Sequence, residues 1–250
     1  MRITSASFVA AAIERLGSVA GGASAGIADA ADLLLAGLRE GGVLQAFGTG
    51  HSQALAMEAA GRAGGLVPTN MLALRDVVVF GGEAPEVVHD QFLERDLDVA
   101  GRVYRLARVE PADVFLIISS SGVNAAVVEM ARLARSDGHR LIAITSLAHT
   151  EAVDPQHPSG LRLRDLADVT LDNGAPVGDA LLPLPEGGAA CAVSTLTGAL
   201  LIEMLVAEVV GRLIDAGEPP PVYLSNNVPG GVARNEIIES RYPGRIRRPA

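Results

Sequence analysis

Two short stretches of small and hydroxylic residues stand where apolar runs give way to helical patterns. The first, Gly48-Thr49-Gly50-His51-Ser52, follows VLQAF (43–47) and opens the alanine-rich SQALAMEAAGR. The second, Ser119-Ser120-Ser121-Gly122-Val123-Asn124, follows VFLII and opens NAAVVEMARLARSDG. A helix start offers free backbone amides and the positive end of the helix dipole, so three hydroxyls beside it make a place for an anion, most naturally a phosphate. A single serine there would merely cap the helix. The first turn falls short of a dinucleotide fingerprint: Gln53 stands where a third glycine is needed, and LVPTNMLAL brings no acid to the end of the next strand.

Composition removes other chemistries. All 20 basic residues of the 250 are arginine, so neither a Schiff base nor a Walker-type phosphate lysine is available. A net charge of -9 opposes nucleic-acid binding, and the late arginines Arg241, Arg245, Arg247 and Arg248 read as a solvated basic tail, 241–250. The lone Cys191 supplies neither an internal disulfide nor a zinc cluster; it reads as a small buried hydrophobe in a reducing, cytoplasmic setting. Glu14 and Arg15 interrupt the N-terminal apolar run, which argues against a signal peptide. Glu203 and Glu208 make the stretch from Leu196 to Ile214 a core helix and not a membrane span.

The elements that must hold the two turns are set by the hydrophobic pattern. Residues 1–42 read as two helices broken at Gly21-Gly22, packing on the domain that begins at residue 43. From residue 43 to 240, β-rich runs (43–47, 66–72, 114–119, 141–146 and 168–172) alternate with helical patterns, while PEGG (185–188) and EPPP (218–221) mark loops. That alternation predicts an α/β three-layer sandwich around a parallel sheet, with ligands beyond the carboxyl ends of the strands.

GTGHS (48–52), ISSSGVNAAVV (118–128) and LIAITS (141–146) together resemble the SIS, or sugar isomerase, domain over residues 7–240. The resemblance implies a flavodoxin-like five-stranded parallel sheet, a phosphosugar ligand, no cofactor, and a homodimer or homotetramer with sites near subunit interfaces. It places Ser119, Ser120, Ser121 and Asn124 on the phosphate, with Gly50 and Ser52 from the first turn in the same pocket. EAAGR (58–62) resembles the ELxGR segment that carries the catalytic glutamate of phosphoheptose isomerases, which nominates Glu58 as the base of an enediol proton transfer. The ordinary alternative is an i, i+4 ion pair of Glu58 with Arg62. Those isomerases draw a histidine from a late helix, but residues 194–217 contain none, so His51 is the expected group at the sugar oxygens.

The remaining polar residues divide between turn-making and ligand contact. Asn173 and Asp179, in a strand-end loop, either make tight turns or meet sugar hydroxyls; Ser225 and Asn226 pose the same choice, and there the resemblance to SIS domains implies a C-terminal segment that closes over the ligand. His89 is either an ordinary surface histidine or one that reaches a neighbouring subunit's site, whereas His139 is expected to face solvent. His149, Asp154 and His157 share a loop without the spacing of a metal site, and no metal is expected there. Three functions fit: a phosphosugar isomerase, a non-catalytic phosphosugar sensor, or an etherase or lyase on an amino-sugar phosphate.

Overall fold

In chain order, the computed structural model runs through α1 (Ser5–Arg39), β1 (Leu44–Gly48), α2 (Ser52–Ala59), β2 (Thr69–Leu72) and α3 (Asp76–Val79). Two 3-10 turns (Pro85–His89 and Leu93–Arg95) lead to α4 (Leu97–Leu106), β3 (Val114–Ile118), α5 (Ala125–Ser136) and β4 (Arg140–Thr145). Then come α6 (Leu147–Ala152), α7 (Leu163–Leu166), β5 (Val169–Asp172), a hairpin of β6 (Ala180–Pro183) and β7 (Ala189–Ala192), α8 (Ser194–Asp215) and α9 (Gly231–Glu239). The structure describes residues 2–90 and 92–247.

Five strands form a parallel sheet in the order β2-β1-β3-β4-β5. Leu44 of β1 stands opposite Thr69 and Val114. Every residue of β1 and β3 is buried, because helices cover both faces. Leu44, Ala46, Leu116, Ile118, Ile142 and Ile144 point into a layer made by α1, α2 and α8. Phe47, Phe115, Ile117, Leu141 and Ala143 point into the opposite layer of α3, α4, α5 and α7. The predicted three-layer α/β sandwich is therefore the observed fold.

At four places the sequence reading is corrected. α1 runs unbroken through Gly21 and Gly22. Both glycines face open space, with nothing within 4 Å of where a Cβ would stand. Each costs about 1 kcal/mol against alanine in a helix. The face carrying Ile27, Ala30, Ala31, Leu34 and Leu35 is buried with the residues of α8, and that packing holds the helix straight through. By length and apolar content α1 could cross a bilayer; in the structure it lies along α8 and β5.

His139 does not face solvent. It is 5% exposed and packs against Phe115 with centroids 5.3 Å apart and the rings tilted by 47°, its Nδ1 lying 3.2 Å from the Asp113 carbonyl. Cys191 is exposed on β7 in a left-handed conformation (φ 69°), so it is no core residue.

The fourth correction concerns the late arginines. Arg245 is buried and ion-paired with Asp113, and its Nη1 donates to the Gly41 carbonyl at 2.9 Å. Asp113 also accepts from the Val43 amide and the Gln45 side chain, both at 2.8 Å. Gln45 in turn accepts from Asn70, whose Oδ1 receives the Arg247 amide at 2.9 Å. The Arg247 guanidinium lies 4.2 Å over the Phe80 ring and 3.3 Å from Asp76. This segment is a strap across β3, β1 and β2, not a solvated tail; Arg248 lies outside the described residues.

Candidate functional site

The order of the strands decides where a ligand can sit. After β1 the chain passes to α2 on one face of the sheet, and after β3 it passes to α5 on the other. The carboxyl ends of β1 and β3 thus flank the point where the winding reverses, the place where open sheets of this kind form a crevice for ligands. The two turns singled out in the sequence are the loops at these strand ends.

Close packing shapes both turns. A Cβ on Gly48 would come 2.5 Å from the Ser52 carbonyl, so only glycine lets the chain double back after β1. Gly50 has φ +53°. In the second turn the Ser119 hydroxyl accepts the Gly122 amide at 3.1 Å, and Gly122 sits at φ +65°. The Ser120 carbonyl accepts the Ser146 amide at 3.0 Å and the Thr145 hydroxyl at 3.3 Å, tying the turn to the end of β4.

Asn124 stands at the cap of α5 without using its side chain there. Ser52, Ser121, Asn124 and His51 make no side-chain hydrogen bond within the described residues, and Ser121 and Asn124 are half-buried. Ser121 and Asn124, with the amides of Ala125 and Ala126 that open α5, are donors without internal partners among the described residues, which is what an anion requires.

The other predicted residues have different partners. Asn173 is 1% exposed; its Nδ2 lies 3.5 Å from the Ser120 Oγ and its Oδ1 accepts the Ala175 amide, so it braces the serine turn from behind. Asp179 accepts from the Val193 and Ser194 amides and the Ser194 hydroxyl, at 3.2, 2.7 and 2.6 Å. Its carboxylate is committed to starting α8. Ser225 and Asn226 line a small cleft of about 100 Å³ with Gly61 and Ala63, past the end of α2. Asn226 there accepts from Asn235 at 3.0 Å.

Glu58 is ion-paired with Arg62, which also stands 3.4 Å from Glu203 of α8. His89 is exposed on the first 3-10 turn. His149 accepts the Gly178 amide at 3.1 Å, while His157 bonds Glu129 at 3.0 Å and Ser159 at 2.7 Å. Among the described residues no three His, Cys, Asp or Glu side chains gather to hold a metal ion.

Sequence reasoning missed a cavity of about 400 Å³ beside the first turn, walled by Gly50, Gln53, Leu74, Arg75, Leu93 and Glu94. Glu94 accepts the hydroxyl of Thr49, itself 6% exposed, at 2.9 Å. Behind the Arg75 wall, Asp76 accepts the Ala73 amide at 3.2 Å. Burial pushes the Asp76 carboxyl up, against the opposing pull of that amide and of Arg247. No local signal marks Glu94 in the sequence: its partner is 45 residues away, and LERDLD reads as a solvated run.

The pattern of the SIS domain family matches residues 7–146. The UPF0309 protein lmo0025 of Listeria monocytogenes serovar 1/2a is 36% identical over 222 residues, which is 88% of this chain and 89% of that protein. This chain belongs to the SIS domain family. Within it, the chain groups with the UPF0309 proteins. Among solved structures, a phosphoheptose isomerase from Francisella tularensis shares the fold at TM-score 0.57 and 19% identity, covering 83% of this chain and 98% of that one. The NanR protein of Vibrio vulnificus, solved with ManNAc-6P, matches at TM-score 0.51 and 16% identity over 84% of this chain and 63% of its own. The SIS domain here thus carries its serine turn at the strand end where its winding reverses.

Proposed function

We propose that this SIS-domain protein binds a sugar phosphate in the β1/β3 crevice and interconverts its aldose and ketose forms through an enediol. The observation that carries the reading is the serine turn: a tight, half-buried loop at the start of a twelve-residue helix, with Ser121 and Asn124 left free of internal partners among the described residues. The isomerase and ManNAc-6P-bound neighbours of the same fold support it. Ser119, Ser120, Ser121 and Asn124 hold the phosphate, Gly50 and Ser52 border the sugar, and His51 serves its oxygens. Glu58 is the base that the EAAGR pattern nominates.

A second reading has its own support. Glu58 is ion-paired with Arg62, the ordinary i, i+4 helix pair, which accounts for its charge without any catalytic role. That favours a site that binds without turning over. Glu58→Gln decides the matter when binding is followed by thermal shift and proton exchange by NMR in deuterated water. The Glu58 mechanism expects exchange to vanish with binding kept; wild-type protein that binds and never exchanges establishes the sensor.

The assembly we propose is a homodimer or homotetramer. Val9 and Ile13 of α1, 52% and 65% exposed, and Leu196 of α8, 44% exposed, supply apolar surface for it. A monomeric mass by light scattering would refute this.

A further inference from the structure

The carboxylate best placed for the chemistry is not the one that the sequence pattern nominates. Glu58 is six residues beyond Ser52 on α2, about 9 Å down the helix axis from the turn. It lies in the layer opposite α5 and is ion-paired with Arg62. Glu94 stands differently. Its neighbour Leu93 is 7% exposed and packs in the core layer of α5, and the turn Leu93–Arg95 rests on α5 itself. From that anchorage the Glu94 side chain crosses to the first turn, where Oε2 accepts the Thr49 hydroxyl at 2.9 Å. The same oxygen is 3.6 Å from where a Cβ on Gly50 would be. Among the described residues no cation pairs with Glu94 and Oε1 has no partner. The cavity it borders, about 400 Å³, falls in the range of small-ligand pockets, roughly 300–1,000 Å³.

We propose that Glu94 is the carboxylate that carries the proton between C2 and C1 of the bound sugar phosphate, an inference that rests on the isomerase reading above. With the phosphate on the serine turn, the carbon chain runs past Gly50 into the cavity beneath Glu94. The carboxylate takes the C2 proton of the open-chain aldose while O1 gains a proton, giving the enediol. The carboxylic acid then returns its proton to C1 as the O2 hydroxyl loses one, and the O2-to-O1 proton passes through the His51 imidazole or solvent. The step balances without a co-reactant.

The test compares wild type, Glu94→Gln, Glu94→Asp and, as a control, Glu86→Gln, an exposed carboxylate on the turn Pro85–His89 that does not line the cavity. Each is incubated in deuterated water with D-glucose 6-phosphate, D-fructose 6-phosphate or D-sedoheptulose 7-phosphate. Exchange at C1 and C2 is read by NMR and binding by thermal shift. Glu94→Gln keeps an acceptor for Thr49, so it should fold and bind, yet exchange at least about 100-fold more slowly. Glu94→Asp should fall between, and Glu86→Gln should match wild type. Exchange by Glu94→Gln within about threefold of wild type overturns the Glu94 role and leaves the isomerase reading standing. Wild-type protein that binds these probes and exchanges none of them overturns that reading itself, and failure to bind any overturns the phosphosugar site.

Discussion

Gly122→Ala tests how tightly the serine turn is built. Gly122 has φ +65°, where an L-residue costs about 1–2 kcal/mol. A Cβ there would also meet the Thr145 hydroxyl at 2.8 Å and the Thr150 hydroxyl at 2.9 Å. Forcing extra volume into a packed site costs about 1–3 kcal/mol more. The expected loss is about 2–5 kcal/mol, equivalent to roughly 4–20 °C in melting temperature for a chain of this size. Gly138 supplies the control: its φ is +86°, but nothing lies within 4 Å of its Cβ position, so Gly138→Ala should cost only the backbone share. Urea titrations of both variants measure the difference. Thr150→Ala in the Gly122→Ala background should recover part of it, because the Thr150 hydroxyl is buried without a partner. If Gly122→Ala costs no more than Gly138→Ala, the turn is looser than its contacts imply and the pre-formed anion site fails with it.

Two further predictions concern charges away from the crevice. Arg245→Ala leaves the 1%-exposed Asp113 without its cation and should cost about 3–5 kcal/mol in urea unfolding; a loss below about 1 kcal/mol would show that the strap does not matter. Burial holds the Asp76 carboxyl above its ordinary 3.8, so the folded state binds that proton more tightly than the unfolded. Its stabilising share is complete below that value and is lost as pH rises through the higher folded one. Asp76→Asn removes this loss, so wild-type stability relative to the variant should decline in urea midpoints as pH rises from about 4 upward. A constant difference across that range would contradict it.

What could be read from the sequence was whatever depends on neighbours in the chain. Covered strands announce themselves as apolar runs, so VLQAF and VFLII were legible, as were the small-residue turns at their ends. What escaped depends on distant partners. Gly21-Gly22 is a breaker by local rule, overruled by the α8 packing that holds the rest of α1. The hairpin β6–β7 hid because its strands are four residues each with a single buried residue between them, and PEGG at its bend. Asp179 looked like a ligand contact and turned out to start α8 from 15 positions upstream. Glu94 carried no motif at all, since its meaning comes from Thr49 and from the helix under Leu93.

The strap also bears on the order in which the chain can finish folding. Asp113 is made 132 residues before Arg245. Until Arg245 arrives, that carboxylate sits at the edge of the sheet with hydrogen bonds but without its guanidinium. A nascent chain that has completed all five strands therefore still holds an open site at the amino end of its sheet. Closure waits on residues 245–247, so the length of chain needed for a sealed fold exceeds the length that contains the crevice by many residues.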